Sequence, residues 1–212
     1  SSKLAVVWFE NRLSKFSEDF ENSFDQYRLS ESLMYIYKLF WDDFCAFFLE
    51  LVKPKDLKID AYTYNKTLDF FDSVLKFLHP FIPFVTEEVW SLLCKREKDL
   101  IVSDWPIFEK YDNKILDKFE VFKKLISEIR NFLISKKTSY KEISLFYQKD
   151  NILDNVYYDL VSKLTKVSEI KLLEHISSDH FLINIDNNKF FIHSNKSIDK
   201  EEEFEKLGKE LE

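Results

Sequence analysis

In several stretches between Phe9 and Leu133 the large apolar residues return at every third or fourth position. Phe9, Leu13, Phe16, Phe20, Phe24 and Tyr27 form the first series. Such steps put side chains on one face of an α-helix, and a face this long has to be buried against another. A break at "YRLSES" follows, with Ser30 expected as N-cap and Glu31 in the first turn. Leu33, Tyr37, Phe40, Phe44, Phe47 and Leu51 predict a second helix, stopped at Lys53 because Pro54 cannot continue it. Asp60 is placed to cap a third, bearing Tyr64, Leu68, Phe71, Leu75 and Leu78. A fourth runs from Glu87 to about Lys95, "LIVSDWP" is an extended connector, and a fifth covers Asn113 to Lys136.

The period then changes. "EISLFY" and "EIKLLE" predict short strands flanking a helix from Asn151 to Val167. "HFLINIDNNKFFIHS" alternates on both sides of Asn187-Asn188, a hairpin signal because asparagine tolerates the positive φ of a tight turn. The expected fold is mainly α: an antiparallel helical bundle over 1–137, a small α/β unit over 138–198, and the start of a C-terminal helical arm over 199–212. The first residue is not methionine and the last lies inside a helical pattern, so a piece of a larger protein is expected.

Composition narrows the function. The chain has 212 residues and a single glycine, Gly208. Loops that cradle phosphates need glycines for close backbone approach and positive φ, so no nucleotide site of that kind is expected. The net charge of −7 argues against broad binding to nucleic acid such as DNA, but the charge is segregated. Residues 110–141 hold nine Lys/Arg against four Asp/Glu, whereas 195–212 hold four Lys against seven Asp/Glu. No apolar run reaches membrane-spanning length and no secretory signal is present. Cys45 and Cys94, with no metal spacing, suit a reducing cytoplasmic setting and small core positions.

Chemistry is hard to find. His79, His175, His180 and His193 show none of the familiar ligand spacings, so no metal and no catalytic residue is assigned. Asp42-Asp43 and Glu87-Glu88 are neighbours about 100° apart on a helix and share no face. The stretch "LHPFIPFVTEEVW" is therefore a structural corner. His79 ends one helix at Pro80, Pro83 delays the next, Thr86 caps it, and Trp90 lies one turn further on. Phe81, Ile82, Phe84 and Val85 are expected to pack into the bundle.

Those residues resemble the helix–corner–helix signature of the anticodon-binding domain in class I aminoacyl-tRNA synthetases for aliphatic amino acids. "YRLSESLMYIYKLFWDDFCAFFLELVKP" and "SDWP" look most like the valyl-tRNA synthetases. One departure is Ala46-Phe47-Phe48, where that family commonly has Asp-Trp-Tyr. The resemblance implies a cytoplasmic parent enzyme that attaches valine to its tRNA with ATP and magnesium, while this piece, with no cofactor of its own, grips the tRNA as a monomer beside the rest of the synthetase. An upstream helix with a stacking aromatic, and the catalytic motifs, are absent here.

RNA loops are held by stacking on aromatics and by cations on phosphates. The residues expected to touch tRNA are Arg12, Arg28, Lys53, Lys55, Arg130, Lys136 and Lys137. Trp8 is open between stacking and core packing, and Trp41, Trp90 and Trp105 are assigned to packing. Two alternatives stand: an isoleucyl- or leucyl-type domain, or a non-catalytic helical module that docks other helices. An exposed apolar stripe on the first helix would favour the module.

Overall fold

The computed structural model describes residues 2–54, 58–173 and 180–194. Packing divides the chain into two units, Ser1–Leu116 and Asp117–Glu212. The first contains α1 (Ser2–Asp25), α2 (Leu29–Lys38), a π-helical segment Leu39–Phe48, α3 (Leu49–Val52), α4 (Ala61–Leu78) and α5 (Pro83–Leu93). The division falls inside α6 (Asn113–Ser135), within one residue of the helix expected there.

The first unit is built on the apolar face of α1. Phe9 stands 5.3 Å from Phe44, 4.8 Å from Phe48 and 5.2 Å from Phe70, ring centre to ring centre. One such buried ring contributes about 2–3 kcal/mol. Trp8 is core, at 1% exposure. Asp60 caps α4 as expected, its carboxylate accepting the Thr63 amide at 2.9 Å and the Thr63 hydroxyl at 2.7 Å. Those two donors hold the Asp60 carboxyl below the usual carboxylate range.

From Leu29 to Val52 the chain is one helical rod, and its buried face is only partly the expected one: Phe44 and Leu51 are buried as expected. Ser32, Ile36, Leu39, Asp43, Phe44 and Phe48 point inward. Leu33 and Tyr37, expected inside, are 46% and 55% exposed, and Trp41, assigned to packing, is 58% exposed. The cause is the segment Leu39–Phe48, wound with i→i+5 bonds, so inward positions fall four and five apart instead of three and four. Ser30 is not the cap: α2 begins at Leu29, with Arg28 at the N-cap and no side-chain bond there.

The corner also differs. α5 begins at Pro83, not after Thr86, because proline at the first helical position loses only an amide that would be unpaired anyway. Thr86 is therefore inside the first turn, 1% exposed, its hydroxyl 2.8 Å from His79 Nδ1 and 3.0 Å from the Ile82 carbonyl. Phe84 and Val85, expected inside, are 89% and 60% exposed. Glu87 accepts the Leu100 amide at 2.7 Å and so ties α5 to the short 3-10 turn Leu100–Val102. Trp90 packs as expected, flanked by the Arg96 guanidinium 3.5 Å from its ring centre, while Arg96 also grips Asp72 through both carboxylate oxygens at 2.6 and 2.7 Å. Cys94, expected in the core, is exposed just past the end of α5, whereas Cys45 is half-buried and its thiol is pushed up by burial.

With so little glycine, helix ends use other residues in the left-handed region. After α1, Tyr27 (φ 58°) closes the turn, with Arg28 N donating to Ser23 O and Tyr27 N to Phe24 O. After α6, Lys137 (φ 47°) does the same, with Thr138 N donating to Leu133 O and Lys137 N to Ile134 O. Both are Schellman closures, where glycine is the usual occupant.

The second unit holds the rest of α6, β1 (Ile143–Tyr147), α7 (Asn155–Thr165), β2 (Glu169–Leu172), β3 (His180–Ile185) and β4 (Asn188–Ser194). The sheet order is β2-β1-β4-β3, with β1 parallel to β2 and both other pairs antiparallel. The crossover helix α7 joins the parallel pair, as such a pair requires. It starts four residues later than expected, at Asn155 after Asp154. The hairpin turn falls on Asp186-Asn187, one residue earlier than expected, with Asp186 at φ 53°. Tyr158 of α7 stacks on Tyr147 at 4.0 Å, and Phe132 of α6 meets Phe181 at 5.1 Å. The arm expected over 199–212 lies outside the described residues.

Candidate nucleic-acid interface

The expected cations of the first unit do not meet. Arg12 points inward from α1, its Nε 2.7 Å from Asp43 Oδ2, with the two side chains 23% and 4% exposed. The π-helical turn is what brings Asp43 inward beside Phe44, so this pair follows from the unusual winding. Arg28 and Lys53 stand at opposite ends of the Leu29–Val52 rod, roughly 37 Å apart at α-helical rise. Arg28 lies 3.6 Å from Glu31 and Lys53 3.4 Å from Glu50, both as exposed pairs of small energetic worth. Lys55 lies outside the described residues.

A third surface of this unit is acidic. The connector after Ser103 is pinned to α1 by Trp105 Nε1 donating to Glu21 at 3.2 Å and by Tyr111 Oη donating to Glu18 at 2.9 Å. An open cavity of about 730 Å³ lies here, edged by Glu18, Glu21 and Glu109 with Lys110. Three carboxylates make it unsuited to a phosphate backbone. Trp105 rests edge-on to Phe77 at 4.9 Å but stays 42% exposed, so its assignment to packing is only partly met.

In the second unit, the cations do gather. Arg130, Lys136 and Lys137 occupy the last two turns of α6 and its closure, where the helix dipole favours positive charge. Arg130 lies in the last two turns of α6, and Lys137 is the left-handed residue that closes it. Both are exposed, and neither has an ion-pair partner among the described residues. Lys136 is half-buried, its ammonium 5.3 Å from the centre of the Phe181 ring. Tyr140, 41% exposed, follows in a short turn held by a capping box between Ser139 and Glu142. Tyr140 was missed by sequence reasoning, although an aromatic three residues beyond two lysines was a legible signal.

The corner residues His79, Pro80, Pro83, Thr86 and Trp90 form no reactive group. His79 Nδ1 is occupied by Thr86, and its Nε2 is buried without a hydrogen-bond partner among the described residues. No cluster of three metal-capable side chains occurs among the described residues. No helix among them is long and apolar enough to cross a membrane.

Sequence comparison places these elements among known proteins. Residues 7–167 match the family described as the anticodon-binding domain of tRNA ligase. Proteins named valine–tRNA ligase are similar over the whole chain: 35% identical in Parabacteroides distasonis and 33% in Christiangramia forsetii, in each case across 24% of the relative's length. That from Porphyromonas gingivalis is 36% identical, again over the whole chain and 24% of its own length. The chain thus spans about a quarter of the length of these curated relatives. A corner-linked helical bundle followed by a small α/β unit, matched over 7–167, belongs to the anticodon-binding domain family of tRNA ligases.

Proposed function

We propose that this chain is the anticodon-gripping part of a ligase-length polypeptide that attaches valine to its tRNA. The family match over 7–167 carries this reading, and the named relatives supply the amino acid. ATP and magnesium would serve the remainder of that polypeptide, in the cytoplasm, and the whole would act as a monomer. On this chain the α6 end is the best-supported contact. Arg130 and Lys137 would hold phosphates, Lys136 would support them, and Tyr140 offers a face on which an unpaired base can stack. A stacked base is worth roughly 1–3 kcal/mol. Arg28 and Lys53, tied to carboxylates at distant ends of one rod, would add weaker contacts, while Arg12 is committed to Asp43.

The test is a titration of valine tRNA transcripts, with and without anticodon substitutions, over a range of salt. Expected is weaker binding when the anticodon is changed. Arg130→Ala should weaken binding to all tRNAs and lower the salt slope by about one. Equal binding of every tRNA, unaffected by Arg130→Ala and Lys137→Ala together, would overturn the reading. Preference for isoleucine or leucine tRNA would reassign the amino acid.

A further inference from the structure

The α2 rod carries an apolar stripe that nothing in the described residues covers. Leu29, Leu33, Tyr37 and Trp41 recur at steps of four and are 51%, 46%, 55% and 58% exposed, with Met34 beside them at 52%. Single exposed apolar residues are ordinary, but five along one face of one rod form a continuous patch. The stripe is not on the first helix, where an interaction module would have been expected to show it. It lies on the second, in α2 ahead of the π-helical segment except for Trp41, which is within that segment.

We propose that this stripe is the docking face for an apolar surface of the same ligase-length polypeptide, in the three quarters of the relatives' length that this chain does not span. The inference rests on the function proposed above for the existence of that polypeptide. Three observations favour protein over RNA as the occupant. Leu29, Leu33 and Met34 are aliphatic and offer no ring to a base. Charge beside the stripe is balanced in number, Arg28 lying by Glu31 and Lys38 being followed by Asp42, so the stripe carries no net positive charge. The relatives are about four times longer than this chain, so chain enough exists to cover it. Tyr37 and Trp41 suit such a contact, having large apolar bodies with a polar tip that can stay wet at the rim.

Thiol labelling decides the matter. In a Cys45→Ser, Cys94→Ser background, Leu33→Cys and, separately, Met34→Cys are reacted with a maleimide in the 212-residue chain and in the full-length polypeptide that carries it. Leu92→Cys, at a position 75% exposed on α5, is the control for general access. The expected result is labelling of both stripe positions slowed tenfold or more in the full-length polypeptide without tRNA, with the control unchanged. Equal labelling in the two contexts would overturn the proposal. So would protection that appears only when valine tRNA is added, which would make the stripe an RNA face, or slowing with concentration in the short chain, which would make it a self-association face. A full-length polypeptide that protects the stripe yet charges no tRNA with valine would remove the proposed function and leave the docking surface standing.

Discussion

Arg12→Met separates a structural role for Arg12 from an RNA-binding one. The substitution keeps the apolar stem and removes the guanidinium, so that Asp43, whose side chain is 4% exposed, loses its 2.7 Å contact with Arg12. Removing one member of a buried pair typically costs about 3–5 kcal/mol, because the remaining charge is stranded. Arg12 is itself 23% exposed, so water can reach part of the site, and the loss should fall nearer about 2–4 kcal/mol. For a chain of this size, that corresponds to a fall in melting temperature of roughly 5–15 °C. Far-UV circular dichroism during heating reads it directly. Adding Asp43→Asn should recover part of the loss, since no charge is then left buried. Binding of tRNA per folded molecule should not change. The reasoning is refuted if Arg12→Met melts within a degree of the parent while its affinity for tRNA drops with a shallower salt slope.

Lys137→Gly should raise stability. A left-handed conformation costs a residue with a Cβ about 1–2 kcal/mol, and glycine gives back about 0.4–1 kcal/mol through the freer unfolded chain, so denaturant melts should show a net gain of about 0.5–1 kcal/mol. Burial pushes the Tyr157 hydroxyl up to about 12 and raises Tyr158 as well, with Tyr147 and Asp154 adding to the effect on Tyr158. Folded tyrosines that resist ionisation stabilise the native state fully below pH about 10, the unfolded value, and progressively less above it. Alkaline titration followed by circular dichroism should therefore show stability falling by up to about 1.4 kcal/mol per pH unit for each ring, and Tyr157→Phe should shift the collapse to higher pH.

Periodicity read the helices well where packing repeats in the ordinary α register. The long helix after Asn113 and the cap at Asp60 could be placed because their determinants are local: a stripe, a carboxylate, an amide three residues on. The error at α5 was local too. Proline was treated as a barrier when at the first helical position it is an opening. The rod was misread for another reason. Nothing in "LFWDDFCAFF" announces i→i+5 bonding, so a stripe drawn at steps of three and four put Leu33 and Tyr37 inside and left Arg12 without its partner on another helix. Cationic candidates were legible as residue types, but whether a lysine or arginine is committed depends on carboxylates distant in sequence. Arg12 finds its own 31 positions away.

A turn closed by i→i+5 bonds holds one residue more than the turn it replaces. Returning it to ordinary winding with no residue removed would therefore rotate everything that follows by about 100°. Phe48 would then swing off the rings of Phe9 and Phe70, and the carboxylate of Asp43 would leave the guanidinium it serves. The molecule is held in register by an apparent surplus, and a more regular rod with the same number of residues would fit its own core less well.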